Sequence, residues 1–168
     1  MLKIRPATPE DATVTATINI LGWKTAYRGL VPDEILDGLS LTEQRLQRFT
    51  KNILTNDIYL VAENETDIIG YLSGGKTRDE KLPYSYEVYT LYVHPDHQHL
   101  GVGRALMQAF KEKINFQDFC LYMLDGNERA LKFYQKMGCV RYPEFDCDQE
   151  SVKKLKIHEL CLAFKGEK

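Results

Sequence analysis

Apolar positions in the first third of the chain recur at helical spacing. A capping threonine at position 8, with Pro9 behind it and two acids in the first turn, predicts a helix that runs to about Tyr27. A turn is expected over residues 28–32. Capping-box spacing between Ser40 and Glu43 then predicts a second helix, which carries apolar residues at helical intervals: Leu46, Phe49, Ile53 and Leu54. A short apolar run over residues 2–5 precedes both helices.

In the remaining two thirds of the chain, some segments have apolar residues at the spacing of strands and others at the spacing of helices. Residues 58–61 and 68–72 are β-branched and aromatic, and the polar turn 64–67 between them predicts an antiparallel hairpin. Strands are predicted over 86–93 and 119–123, and near 140–142 and 155–163. Helices are predicted from Val102 and over 127–137, the latter closed by Gly138. The resulting order, β α α β β β α β α β β, predicts a mixed α/β (α+β) sheet covered by helices.

Length and composition favour one domain over residues 1–168, because 168 residues with 43% hydrophobic content fill a single core. The net charge of -2 gives no general attraction to nucleic acid or to a membrane surface. Four cysteines are scattered without a C-x-x-C pair, and Cys120 and Cys161 lie in apolar runs that predict buried, reduced thiols. No signal peptide and no apolar run of about 20 residues is found, so a cytoplasmic location is expected.

A glycine-bearing turn between a predicted strand and a predicted helix is the main candidate for chemistry. Gly101 and Gly103 allow the backbone to come close to a ligand, and the helix start adds partial positive charge. A pyrophosphate suits such a turn. The alternative is a tight turn with no ligand. A P-loop is excluded by the lack of Gly-Lys followed by Ser or Thr, and a dinucleotide fingerprint is opposed by the bulky Leu106, although Asp125 stands where its ribose-binding acid would be.

The pattern Gln98-x-x-Gly101-x-Gly103 resembles the signature of the GNAT superfamily of acetyl-coenzyme A-dependent N-acetyltransferases. Residues 92–96 resemble that family's strand end, and residues 127–139 resemble its later helix, about 25 residues downstream. The resemblance implies a mostly antiparallel central sheet and acetyl-coenzyme A as acetyl donor. It further implies direct attack, in a ternary complex, by a primary amine of a small molecule or peptide.

The same resemblance implies the cofactor contacts. Backbone groups of Leu91, Tyr92 and Val93 would pair with the pantetheine arm, and Asn127, Ala130 and Tyr134 would contact the cofactor from the later helix. His99 and Leu100 depart from the family by standing where glycine or a cation is frequent, which leaves Arg104 as the nearest permanent charge. The pyrophosphate would be held by the turn: Gln98, His99, Leu100, Gly101, Val102, Gly103 and Arg104.

Two side chains are candidates for proton transfer. An alkyl amine with a pKa near ~10.4 must lose a proton before it attacks, and Glu87, six residues before Val93, matches the position of a general base in the family. The alternative for Glu87 is a solvated strand glutamate. Tyr134 matches the family position of the acid that protonates the thiolate, and its alternative is a core aromatic. Asn127 is also a candidate N-cap.

The acceptor site is predicted near Trp23 and Tyr27, in the segment that covers the acceptor cleft in the family. Neighbouring acids would suit a cationic amine such as a polyamine: Asp33, Glu34 and Asp37. The alternative is an apolar helix stripe beside solvated acids. His94, His97 and His99 are not expected to bind metal, because no cysteine or helical histidine pair completes a site.

Two other functions stay open. A non-catalytic acyl-coenzyme A sensor would keep the turn while Glu87 and Tyr134 are structural, and a nucleotide-dependent oxidoreductase is a weaker option that Leu106 opposes. An exposed strand near the C-terminus would allow pairing into a homodimer.

Overall fold

The computed structural model describes residues 1–150 and 155–166, without the side chains of residues 149 and 150. The helices are α1 (Ala12–Ala26), α2 (Asp33–Asp37), α3 (Glu43–Thr55), α4 (Val102–Lys113) and α5 (Glu128–Lys136). The strands are β1 (Lys3–Pro6), β2 (Ile58–Glu63), β3 (Ile68–Lys76), β4 (Tyr86–Val93), β5 (Phe119–Leu124), β6 (Val140–Arg141), β7 (Cys147–Glu150) and β8 (Lys156–Phe164). Residues 151–154 and 167–168 of the predicted domain lie outside the described residues.

The strands form one sheet in the order β1-β2-β3-β4-β5-β8-β6, with β7 also paired to β8. The β4–β5 pair is parallel and the other pairs are antiparallel. Leu106 and Phe110 of α4 lie in the core on one face of the sheet, and Ala16 of α1 and Phe49 of α3 lie in the core on the other. The predicted mixed, mostly antiparallel sheet with flanking helices is confirmed.

Strands β4 and β5 pair over only part of their length. Tyr86–Val88 pair with Phe119–Leu121, and beyond Val88 the β5 side of β4 has no ladder partner among the described strands. On its other side, β4 continues against β3, where Val88 pairs with Gly74 and Thr90 with Ser73, so that Tyr89 is an inserted bulge residue. The two parallel strands therefore part at the bulge, and one edge of β4 faces an opening.

The predicted helices in the first third are confirmed, but both begin later than predicted. Helix α1 starts at Ala12, after a 3-10 turn over Pro9–Asp11 that Thr8 precedes. Ser40 is not the N-cap of α3. Thr42 is, because its side chain accepts a hydrogen bond from the Arg45 backbone N–H at 3.2 Å and Glu43 is already the first helical residue. Glu43 thus stands too early to complete the predicted capping box. The short helix α2 lies just after the predicted turn, and its five residues are too few to show a helical period.

The C-terminal part of the sheet contains the two predicted strands, β6 and β8, and one further strand, β7. Polar β7 has no apolar alternation and was not expected. Strand β8 pairs with β5 on one side and with both β6 and β7 on the other, so both of its edges are paired within the chain. Pairing of two subunits through an exposed strand near the C-terminus stays a prediction. Asn127 caps α5 by accepting from the Ala130 N–H at 3.2 Å, and Gly138 ends that helix at φ 87°.

Cys120 and Cys161 are buried, as predicted, and both are free thiols. Within the described residues, no helix is long and apolar enough to span a membrane.

Candidate active site

A cavity of about 340 Å³ lies on the α1–α3 face of the sheet, where β4 leaves β5. Its floor is a row of tyrosine rings on adjacent strands. Tyr71 stacks on Tyr59 with ring centroids 5.6 Å apart, and on Tyr92 at 5.9 Å. Burial raises the pKa of all three phenols, so they stay neutral at physiological pH. The cavity thus offers an aromatic, uncharged surface beside the open edge of β4.

Helix α1 closes one side of this cavity. Gly22 lets the helix approach the Tyr92 ring, because a Cβ at that position would collide with it. The Tyr27 hydroxyl then lies 3.1 Å from the Tyr92 hydroxyl. Trp23 packs edge-to-face on Tyr27, with centroids 4.8 Å apart, and both line the cavity. They also pack against the apolar cluster around Leu36. The two predicted substrate residues are therefore placed at the cavity, and their contact with an acceptor stays a prediction.

The acids predicted beside Trp23 and Tyr27 do not line the cavity. Arg28 holds Asp33 at 3.0 Å and Asp37 at 2.9 Å, and all three side chains are well exposed. Glu34 is also exposed. Asp33 and Glu34 begin α2, Asp37 ends it, and all three face solvent. They are therefore near Tyr27 in the sequence but do not reach the cavity. The predicted acidic acceptor site is wrong in this respect.

The glycine turn lies at the N-terminus of α4. Gly101 has φ 81°, a left-handed conformation that favours glycine, and it provides no side-chain cap. The N–H groups of Val102, Gly103 and Arg104 open the helix and have no acceptor within it. This geometry fits an oxyanion ligand, because aligned N–H groups and the helix dipole both favour negative charge.

Two contacts tie the turn to its surroundings. The Gln98 side-chain amide donates to the Val93 carbonyl oxygen at 3.2 Å, which joins the turn to the parted end of β4. A Cβ on Gly103 would lie 3.2 Å from Phe133 of α5. Glycine at 103 therefore allows α4 and α5 to pack closely, which brings together the two segments that carry the family resemblance.

Arg129 is a further cation at the turn that the sequence prediction did not include. Its Nη2 lies 2.8 Å from the His99 Nε2. Arg104, which was predicted, is exposed, and neither arginine forms an ion pair within the described part of the chain. Position 129 is one residue after the first residue of α5, so a cation there could have been considered only once α5 was placed beside α4.

Tyr134 lies in the core between α5 and the sheet, 9% exposed, with its ring edge-on to Phe164 at 6.2 Å. Burial raises the pKa of its phenol, which therefore keeps its proton at neutral pH. Charge on Tyr27 further raises the pKa of Tyr134, and charge on Tyr134 that of Tyr92, so the three phenols interact electrostatically. The position of Tyr134 matches the alternative prediction, a core aromatic. Its catalytic role stays a prediction.

Glu87 is buried in the sheet, 1% exposed, and its carboxylate is bound by Arg78. The Arg78 backbone N–H donates to Oε2 at 3.0 Å and its Nε to Oε1 at 3.2 Å, while its Nη2 also contacts Oε1. The carboxylate is neither solvated nor among the cavity-lining groups. This placement speaks against direct proton acceptance, and the predicted role of Glu87 remains a prediction.

Glu159 is the one carboxylate among the described residues that line the cavity. Burial raises the pKa of Glu159, and the charge of Arg78 opposes that rise. Cys147 Sγ lies 3.9 Å from its Oε2. Register places Glu159 opposite Leu124 at the end of β5. The sequence prediction missed this residue because only the β5–β8 pairing brings it to the cavity.

The histidines of the turn have different surroundings, and the buried Nδ1 of His97 has no hydrogen-bond partner among the described residues. His94 accepts from the Asp96 N–H at 3.3 Å and packs edge-on to His97, while His99 contacts Arg129. No three His, Cys, Asp or Glu side chains of the described residues gather as they would around a metal ion.

Residues 55–140 match the sequence model of the acetyltransferase (GNAT) domain, which is more than half of the chain. The chain belongs to this family and is an acetyltransferase, as the resemblance predicted. It is 25% identical over 147 residues to an uncharacterized N-acetyltransferase, YuaI, of Bacillus subtilis (strain 168), covering 86% of this chain and 83% of that protein.

Solved structures share the fold. The PaiA N-acetyltransferase of Thermoplasma acidophilum, in complex with coenzyme A, has a TM-score of 0.73 at 18% identity, with 99% of each chain covered. The acetyltransferase YncA of Salmonella typhimurium, with its cofactor acetyl-CoA, has a TM-score of 0.70 at 20% identity and covers 100% of this chain and 95% of that one.

Proposed function

We propose that this protein transfers an acetyl group from acetyl-coenzyme A to a primary amine of a small molecule or peptide, by direct attack in a ternary complex. One observation carries the proposal. The parted edge of β4 leads from the glycine turn before α4 to the cavity beneath α1 and α3. A donor on one side of this strand and an acceptor on the other would meet at the opening.

The residues around the opening fit coenzyme A. Backbone groups of Leu91, Tyr92 and Val93 on the side of β4 that β5 leaves open would pair with the pantetheine arm, next to the Val93 carbonyl oxygen that accepts from Gln98. The first N–H groups of α4 would hold the pyrophosphate. Arg104 and Arg129 add positive charge there. Asn127 and Ala130 would complete the contact from α5. When bound, acetyl-coenzyme A supplies a thioester, whose carbonyl carbon accepts the attacking amine.

A carboxylate must accept a proton from the ammonium form of the acceptor, because an amine with a pKa near ~10.4 is protonated at neutral pH. Glu87 was predicted from the sequence, and Glu159 emerges from the fold. The geometry favours Glu159, since it lines the cavity and burial raises its pKa. Glu87 would then orient Arg78 rather than take the proton itself.

Tyr134 would donate the proton that the leaving thiolate needs. Its neutral phenol and its electrostatic interaction with Tyr27 and Tyr92 support this role. The amine nitrogen forms the new bond to the acetyl carbon as the carbon–sulfur bond breaks. Before the attack, the ammonium group gives one proton to the carboxylate. As the carbon–sulfur bond breaks, Tyr134 protonates the sulfur, and the second proton lost by the amine nitrogen restores the Tyr134 phenol.

The domain organisation, cellular location and oligomeric state are inferred as follows. Residues 1–168 would form one acetyltransferase domain, and the free thiols of Cys120 and Cys161 support a reducing, cytoplasmic location. A homodimer would have to use a surface other than the β8 edge, which β6 and β7 cover.

The test mixes the protein with acetyl-coenzyme A and a panel of amino acids, polyamines, aminoglycosides and peptides, and follows free thiol. Acceptor-dependent thiol release supports the enzyme. Coenzyme A binding without turnover across the panel would instead indicate a non-catalytic acyl-coenzyme A sensor.

A further inference from the structure

The arginines of the chain divide into two sets by their partners. Four form ion pairs with carboxylates: Arg5, Arg28, Arg78 and Arg141. The other four contact no carboxylate among the described residues. Two of these, Arg104 and Arg129, belong to the proposed pyrophosphate site. The remaining two, Arg45 and Arg48, both line the cavity on the acceptor side.

Arg45, Arg48 and Asn52 stand three and four residues apart on α3, so they share one face of the helix. Arg45 is half-buried, and its Nη1 donates to Asn19 Oδ1 at 3.3 Å. The Asn19 amide in turn donates to the Tyr71 hydroxyl at 3.0 Å. This chain of hydrogen bonds fixes one arm of the guanidinium above β3 and leaves its other donors available.

Arg45 stands where positive charge is unfavourable without a partner, whereas Arg48 is exposed and lies over the Phe49 ring. Burial lowers the pKa of Arg45, and the charge of Arg48 lowers it further. Arg45 is also in the first turn of α3, where the helix dipole disfavours a cation. An oxyanion bound between the two guanidinium groups would offset all three costs, because a guanidinium fork matches a carboxylate in shape and charge.

The opposite side of the cavity carries the single described carboxylate, Glu159 of β8. The cavity is therefore polarised, with arginines over β3 and an acid beyond β5. The opening between β4 and β5 lies about one and a half strand spacings, or roughly 7 Å, from β3. An acceptor that contacts the arginines with an anionic group and places its amine at the opening must hold these two groups several bonds apart. The single carbon that separates them in an α-amino acid is too short.

We propose that the acceptor is a small amine that carries a carboxylate at its far end, and that Arg45 and Arg48 bind this carboxylate. This rests on the proposed function and names its substrate class. The tyrosine floor would contact the carbon chain, and Glu159 would receive the ammonium group. A cavity of about 340 Å³ is of a size that holds a small molecule. The polyamine expected from the sequence would meet the two arginines with like charge.

The test compares three acceptors of equal length: aminohexanoate, hexylamine and hexanediamine. We expect kcat/KM for aminohexanoate to exceed that for hexylamine at least about tenfold, as a charge-assisted hydrogen bond provides. Arg45→Gln and Arg48→Gln should each lower this ratio several-fold. Arg28→Gln, which removes a surface cation outside the cavity, should keep it. A preference for hexanediamine, or a ratio unchanged in both cavity variants, would overturn the proposal.

A binding measurement separates this inference from the proposed function. Trp23, the single tryptophan, lines the cavity and reports on its occupancy through its fluorescence. If no amine is acetylated, the proposed function fails. The carboxylate site is then judged by titration with aminohexanoate: saturable quenching that Arg45→Gln weakens supports it, and no response to the ligand contradicts it.

Discussion

The Glu87 carboxylate is bound by Arg78 through both the backbone and the guanidinium of that residue. Glu87 is buried in β4, whereas the Arg78 side chain is 61% exposed in the loop after β3. A buried carboxylate depends on such a partner, since an unpaired charge in the core is costly. The pair thus fixes the β3–β4 loop beside the point where β4 and β5 part.

Glu87→Gln should lower the free energy of unfolding by about 1–3 kcal/mol, because the charge-assisted hydrogen bonds become neutral. Urea denaturation measures this, and the exposed Glu144→Gln is the matched control. The acidic limb of the pH–rate profile should survive. If the limb disappears while stability is unchanged, Glu87 is the base that the sequence suggested.

Glu159→Gln should remove the acidic limb of kcat/KM and lower its value near neutral pH by about 100-fold. A carboxylate base works only when deprotonated, so activity rises as the pH rises through its pKa. Burial raises the pKa of Glu159, which places the limb above the usual glutamate value of 4.5. A limb that persists in Glu159→Gln would assign the proton to another group.

Tyr134→Phe should lower kcat about 10- to 100-fold and leave the dissociation constant of coenzyme A nearly unchanged. The loss is modest for acid catalysis because a thiol, with a pKa near ~8.5, leaves readily. Steady-state kinetics and isothermal titration calorimetry give the two quantities. Tyr142→Phe, on the far side of the sheet, is the control. An unchanged kcat would mean that Tyr134 is only a core aromatic.

Gly101→Ala should cost about 1–2 kcal/mol of stability and weaken coenzyme A binding, because Gly101 adopts φ 81°. Gly29 is a close match, with φ 83° and equally open space around it. Gly29→Ala should lose similar stability without a change in coenzyme A affinity. Equal effects of both variants on that affinity would remove the special role of the turn.

The sequence predicted what local patterns encode. The hairpin of β2 and β3, the start of α4 at Val102 and the Asn127 cap of α5 are confirmed, because each depends on residues close in the chain. The glycine turn before α4 could be located for the same reason, and its role in cofactor binding stays a prediction. Strand β7 was missed because its residues are polar and it is held only by pairing with β8.

The cavity proposed as the acceptor site is formed by contacts between distant segments, and prediction there was weaker. In the sequence, Arg45 is one of several polar residues on a predicted amphipathic helix. Only the packing of α3 over the sheet places it at the cavity. Glu159 reaches the cavity only through the β5–β8 register. Asp33 and Asp37, close to Tyr27 in sequence, are instead held at the surface by Arg28. Charge near a site in sequence was therefore a poor guide to charge within it.

The central claim is direct acetyl transfer to an amine in a ternary complex. The measurement is the initial rate of thiol release while acetyl-coenzyme A and an amine are both varied. The account predicts release that requires the amine, with double-reciprocal lines that intersect. Parallel lines would indicate a covalent acetyl-enzyme, and binding of coenzyme A with no amine-dependent thiol across the full panel would contradict enzymatic function altogether.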